Sequence, residues 1–161
     1  MAAADIHMPL REAMQARDRH RVVRAFAEDA VVRSPFTDNL AFEGRAQIDA
    51  LVAVILDVLE DITYTDELHR DGAAVLVGDA RVDGLRLQFS DHLRLRGDGL
   101  IEEMTVFFRP LPASTAAMRR IAVGLGRQKS ALRARIISPM VAPLALMSRT
   151  GDRLGVRLVR P

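Results

Sequence analysis

The sequence predicts an α+β fold, with helices packed on one face of a curved antiparallel sheet, and three observations carry that reading. Apolar residues recur at helical spacing up to about residue 60 and at alternating spacing beyond it. Asp-Gly pairs at 71–72 and 83–84 cut the alternating part into strand-length pieces joined by two-residue hairpins. Helices come first and an unbroken run of strands second, the order of an α+β domain. With 161 residues, 49% of them hydrophobic, and a mean hydropathy of +0.07, the chain suits one globular domain with a sizeable core.

Residues 9–28 read as helical. Pro9 favours a first turn, Leu10, Met14, Val22, Val23 and Phe26 are the apolar positions, and Asp18 forms a joint between two short helices. His20 lies among Arg19, Arg21 and Arg24 on the wet side. Residues 29–33 form a short strand stopped by Pro35, and the loop to Gly44 contains a brief extended piece at 40–42. Residues 45–60 carry Ile48, Leu51, Val52, Ile55, Leu56 and Leu59 as an apolar stripe, so this helix covers something. Strands at 61–70, 73–83, 85–96 and 100–109 make a four-strand meander, and the strand at 30–33 joins its edge. Glu102 and Glu103 fall on both faces of the last strand, which places them at its frayed start.

The strand at 85–96 holds the main functional clue. Leu85, Leu87, Phe89, Asp91, Leu93 and Leu95 share one parity, so a single carboxylate sits on an apolar face and points into a core or cavity. Burying an unpaired carboxylate is costly, so Asp91 is either satisfied by neighbours or is a pocket acid that desolvation keeps protonated. The pocket reading makes it the candidate catalytic residue. His92 has the opposite parity and belongs to the outer face. Asp38, in the Thr-Asp-Asn turn that would rim a pocket, is a weaker catalytic candidate, because such an acid is ordinarily a turn former. Tyr64 shares the parity of Ile62 and Leu68, so its hydroxyl can reach the cavity.

Composition excludes several classes. There is no cysteine, hence no disulfide framework and no thiolate nucleophile. The four histidines, His7, His20, His69 and His92, show no metal-ligand spacing, so no metal and no cofactor is expected. The start MAAADIHMPLREAM has neither a basic region nor an apolar core of the secretory kind, so a cytoplasmic location is expected. Residues 112–161 carry nine positive charges in excess, against seven negative charges in excess before them. An acidic body with a basic extension argues that the extension has work of its own.

In that extension residues 114–137 read as a helix with Met118, Ile121, Leu125, Leu132 and Ile136 on one face, followed by a proline-broken apolar run at 136–147. Packing on the body, with closure of a pocket mouth, is the first expectation. A basic segment lying on an anionic membrane surface is the second. Nucleic acid is the third and unlikely one, since no aromatic residue follows Phe108 to stack on bases.

The run FAEDAVVRSPFTDNLAFEGRAQI followed by SDHLRLRGDGLIEEMTVFFRP resembles the nuclear transport factor 2-like superfamily, in particular its SnoaL-like and ketosteroid isomerase-like members. The likeness spans residues 9–111 and leaves 112–161 outside, which divides the chain into a cone domain at 1–111 and an extension at 112–161. The resemblance implies a cone in which a strongly curved sheet wraps on helices around a pocket, dimerised through the outer face of the sheet. It implies a small apolar ligand and proton-transfer chemistry of isomerase or cyclase type on a carbonyl or enol compound. Ser34 falls where the steroid isomerases carry their catalytic base, and Leu10 where they carry an oxyanion-hole tyrosine. Asp91-His92 matches the segment of their second aspartate, the one that stays neutral in an apolar site and donates a hydrogen bond. The acids that epoxide hydrolases and polyketide cyclases of this superfamily need on the last strand fall near Val106. The ligand-binding candidates are therefore Tyr64, Ser34, Phe89 and Val106. With the base position empty, the alternative is a non-catalytic ligand-binding or dimerisation module.

Overall fold

The protein is described from a computed structural model, covering residues 9–129 together with Met147. The proline-broken run and most of the basic extension lie outside the described residues, as does His7. Helices α1 (Pro9–Gln15) and α2 (Arg19–Arg24) meet at Asp18, whose carboxylate accepts from the Arg21 backbone N–H at 3.0 Å. The helical stretch expected to run to residue 28 stops at Arg24, and β1 occupies Phe26–Arg33. The cause is tertiary. Ile101 donates its N–H to the Ala25 carbonyl at 2.9 Å and Phe26 pairs with Ile101, so sheet pairing wins over local helical spacing.

Strand β2 (Ala41–Glu43) pairs antiparallel with β1, and α3 (Gly44–Val58) follows. Strands β3 (Glu60–Arg70), β4 (Ala73–Val82), β5 (Leu85–Leu95) and β6 (Ile101–Arg109) form the meander, and α4 (Leu111–Lys129) closes the described chain. The sheet order is β2-β1-β6-β5-β4-β3. β1 does join the β6 edge, but it pairs parallel, so the sheet is mixed rather than wholly antiparallel. A hairpin forces neighbours to run antiparallel; β1 reaches β6 only after β2, α3 and three further strands, and that constraint is absent.

Glu102 and Glu103 are not at a frayed end. The register shifts beside them, with Arg94 opposite Glu103 and Leu95 opposite Ile101. The extra residue lets both carboxylates face outward while Ile101 is fully buried. Glu103 is then held by Arg33 at 2.9 Å and Arg94 at 3.0 Å.

Helices α1 to α4 pack on the concave face of the sheet. Leu10, Val22, Ile48, Leu76, Val82, Leu87 and Ile101 have almost no exposed surface and mark the core. Between α3 and α4 the approach is close, because a Cβ on Gly124 would lie 2.5 Å from Val54 Cγ1. The architecture is α+β, an open curved sheet with helices filling its hollow.

Candidate functional site

A cavity of about 360 Å³ lies in that hollow. Its floor comes from alternate residues of β5 and β6, with Phe89 and Asp91 on one strand and Met104, Val106 and Phe108 on the other. Helix α3 supplies Ile48, Leu51, Val52 and Ile55, and α4 supplies Met118, Ile121, Ala122 and Leu125. The stripe expected on the C-terminal helix thus forms part of the wall wherever it is described.

Register fixes how the polar groups are spaced. Asp91 pairs with Val106 on β6 and with Leu76 on β4. Ser34 follows the last residue of β1, whose Arg33 pairs with Thr105 on β6, and it lines the cavity together with Asp91 and Val106. The Ser34 hydroxyl accepts from the Phe36 N–H at 3.2 Å and shapes the rim turn. Phe36 packs edge-on against Phe108, with ring centres 5.5 Å apart.

Tyr64 approaches from the other side. It pairs with Gly78 on β4, which pairs with Phe89 on β5. A Cβ on Gly78 would lie 2.4 Å from Phe89 Cζ and from the Thr63 carbonyl oxygen. The missing side chain makes room for the Phe89 ring over β4, where it meets the Tyr64 ring edge-on, at 5.2 Å and 85°. The Tyr64 hydroxyl is aimed toward Asp91.

Asp91 is 4% exposed. Burial pushes its carboxyl up from 3.8 to about 7, and the nearby Tyr64 phenol opposes the rise. Tyr64 is itself pushed well above the ordinary tyrosine value, first by burial and then by Asp91, so it stays a neutral donor. The two groups influence each other's charge, yet no hydrogen bond of ordinary geometry joins them, and the Tyr64 hydroxyl is buried without a partner. A buried hydroxyl on the wall of a cavity is placed to donate to a ligand oxygen there.

Of the residues singled out in the sequence, Asp91, Tyr64, Ser34, Phe89 and Val106 all line this cavity. Asp38 does not; it is exposed in the rim turn, and the cavity is lined there by Thr37. The carboxylate of a Thr-Asp-Asn turn stays in water because the turn itself needs nothing from it. His92 points outward, with its ring 4.8 Å from that of Phe107. Gly78 escaped sequence reasoning, although a glycine inside an alternating strand is a recognised sign of close approach. Among the described residues, no three His, Asp or Glu side chains converge as a metal site.

These features define a class: an α+β cone whose helices and curved sheet enclose an apolar cavity with one buried acid. The fold is that of nuclear transport factor 2-like proteins, and the chain is similar in structure to steroid isomerase-like and SnoaL-like proteins. No protein-family profile and no curated protein matches the chain. Among solved structures, a steroid delta-isomerase from Pseudomonas aeruginosa superposes with a TM-score of 0.68 at 27% identity, covering 74% of this chain and 88% of its own. An uncharacterised bacterial protein with a cystatin-like fold from Silicibacter pomeroyi gives 0.67 at 21% identity, over 78% and 89%. A protein of ketosteroid isomerase-like fold from Catenulispora acidiphila, solved in complex with trimethylamine, gives 0.56 at 17% identity, over 71% and 92%.

Proposed function

We propose that the cavity binds a small, largely apolar molecule through a carbonyl or enol oxygen, with Asp91 and Tyr64 as paired hydrogen-bond donors. One observation carries this reading: a buried carboxyl stands beside an unpartnered phenol in an otherwise apolar wall. In its neutral form Asp91 donates its O–H to the ligand oxygen, and Tyr64 donates a second bond to the same atom. Both bonds strengthen as negative charge develops there, which favours enol or enolate over ketone. A carboxyl that titrates near neutrality is also suited to giving up and retaking that proton. Phe89 and Val106 flank the acid and hold the apolar body, and Ser34 offers a hydroxyl elsewhere on the wall.

A second reading is favoured by Ser34. The position where steroid isomerases hold a base carries a hydroxyl here, and Asp38 lies outside the wall, so a binding module without turnover fits the same cavity. Exchange of the α-protons of a bound cyclic ketone for solvent deuterium, followed by NMR, separates the two. Exchange that disappears in Asp91→Asn supports catalysis, and binding without exchange supports the module. Ketone affinity should be constant below about pH 7 and decline above it, in step with ionisation of Asp91. If native affinity were independent of pH, or kept its dependence in Asp91→Asn, the donor role would be wrong.

The same reading includes a homodimer formed through the convex face of the sheet. Register lines up Leu68, Val75 and His92 in one outer row and Val77, Ser90 and Phe107 in the next. Leu68 and Phe107 are each more than half exposed. No helix among the described residues is long and apolar enough to cross a membrane.

A further inference from the structure

The cavity concentrates the aromatic residues of the molecule. Of six phenylalanines and one tyrosine in the chain, Phe26, Phe36, Phe42, Tyr64, Phe89 and Phe108 all line it, leaving only Phe107 on the outer face. Into this ring-lined space the described residues send one carboxylate, and no cation among them is paired with it. Arg33, at the rim, is tied to Glu103 at 2.9 Å and is mostly exposed. Behind Tyr64, Arg11 is engaged with Glu67 at 3.3 Å and with the Tyr64 backbone carbonyl, and Glu67 also holds His69 at 2.6 Å. The lining residues of α3, α4 and β6 carry no charge at all.

From this arrangement we infer a second ligand class for the site: hydrophobic ammonium ions, whose charged nitrogen pairs with Asp91 and whose carbon substituents lie against the aromatic walls. Ring faces attract organic cations, and a desolvated carboxylate that no cation among the described residues meets is the counterion such a cation lacks elsewhere in an apolar space. A protonated tertiary amine adds one N–H to donate to the carboxylate. The Tyr64 hydroxyl then donates to the second carboxylate oxygen and is satisfied in turn. The inference shares with the carbonyl reading the premise that the cavity holds a small apolar molecule, and departs from it in the charge of that molecule. The two classes use opposite states of one acid, so the pocket selects between them by the protonation of Asp91.

Opposite use of one acid also separates the two in a single experiment. Tyr64 is the only tyrosine and there is no tryptophan, so intrinsic emission reports on the cavity alone. The full chain is titrated with N,N-dimethylcyclohexylamine, a cation throughout, and with cyclohexyl methyl ketone, its neutral near-isostere, at about pH 6 and about pH 8. Amine affinity should rise about tenfold from the lower to the higher pH, as the ionised fraction of Asp91 rises, while ketone affinity falls by a similar factor. In Asp91→Asn the amine should lose both its pH dependence and at least tenfold in affinity. Amine binding that is absent, flat or falling with pH, or that survives in Asp91→Asn, overturns the inference, and the native pH series decides even if the variant folds poorly. A ketone that binds with its falling profile while the amine does not leaves the carbonyl reading standing alone; the reverse result removes the carbonyl reading and keeps the amine.

Discussion

Asp91 couples the site to the stability of the fold. Its carboxyl moves from an ordinary value of 3.8 to about 7 when buried, so between those values the folded chain keeps a proton that the unfolded chain has lost. Stability from this group is fully present below about pH 4, declines as pH rises toward 7, and is level above it. At 1.36 kcal/mol per pH unit the span amounts to something on the order of 4 kcal/mol. Asp91→Asn, which keeps the shape and cannot ionise, should therefore be more stable than the native chain at about pH 8, by up to roughly that amount, and equal to it near pH 4. Urea unfolding at the two pH values measures the difference. A variant less stable at the higher pH would show that the carboxylate has a stabilising partner in the folded state. The acid was legible in the sequence, since strand parity aims it inward among leucines. The Tyr64 partnership was only half legible: parity predicts that the ring faces the cavity, but nothing local predicts its contact with Phe89, two strands away.

That contact belongs to the sheet. β3 and β5 are not neighbours, and the Phe89 ring reaches Tyr64 over a glycine of the strand between them. Gly78→Ala places a methyl 2.4 Å from Phe89 Cζ and from the Thr63 carbonyl oxygen, so the Phe89 ring must shift and its contact with Tyr64 is disturbed. Overpacking of this kind costs about 1–3 kcal/mol, and the β-sheet preference of alanine over glycine is too small to offset it. Losing the phenol also removes the influence that holds the Asp91 carboxyl down, so its titration should shift upward. Carboxyl-carbon NMR of Asp91 in native and Gly78→Ala protein tests this; an unchanged midpoint would mean that the placement of Tyr64 does not depend on Phe89 lying over Gly78. The element boundaries that sequence spacing misplaced have the same origin. Phe26 has helical spacing behind it and a strand partner in Ile101, and only the folded sheet supplies the second.

For the molecule as a whole, the two faces of the sheet have different work. The concave face holds the cavity and the convex face presents Leu68, Val75, Val77 and Phe107 among polar neighbours. The homodimer proposed for that face puts Phe107 and its His92 contact at the interface. Sedimentation should show a dimer for the native chain and a monomer for Phe107→Glu, with the cavity ligands still bound. A native monomer at tens of micromolar would dispose of the dimer.

The sequence by itself determined the α+β class, the meander and its Asp-Gly turns, the inward aim of Asp91 and the apolar stripe of the last helix. Periodicity and turn chemistry are local, and these features need nothing more. Only the tertiary structure decided that β1 lies parallel to β6, that Ser34 lines the same cavity as Asp91, and that Gly78 lets the Phe89 ring reach Tyr64. Those relations join residues far apart in the chain, and they exist because strand pairing and the exclusion of overlapping side chains act through space, where sequence spacing carries no record of them.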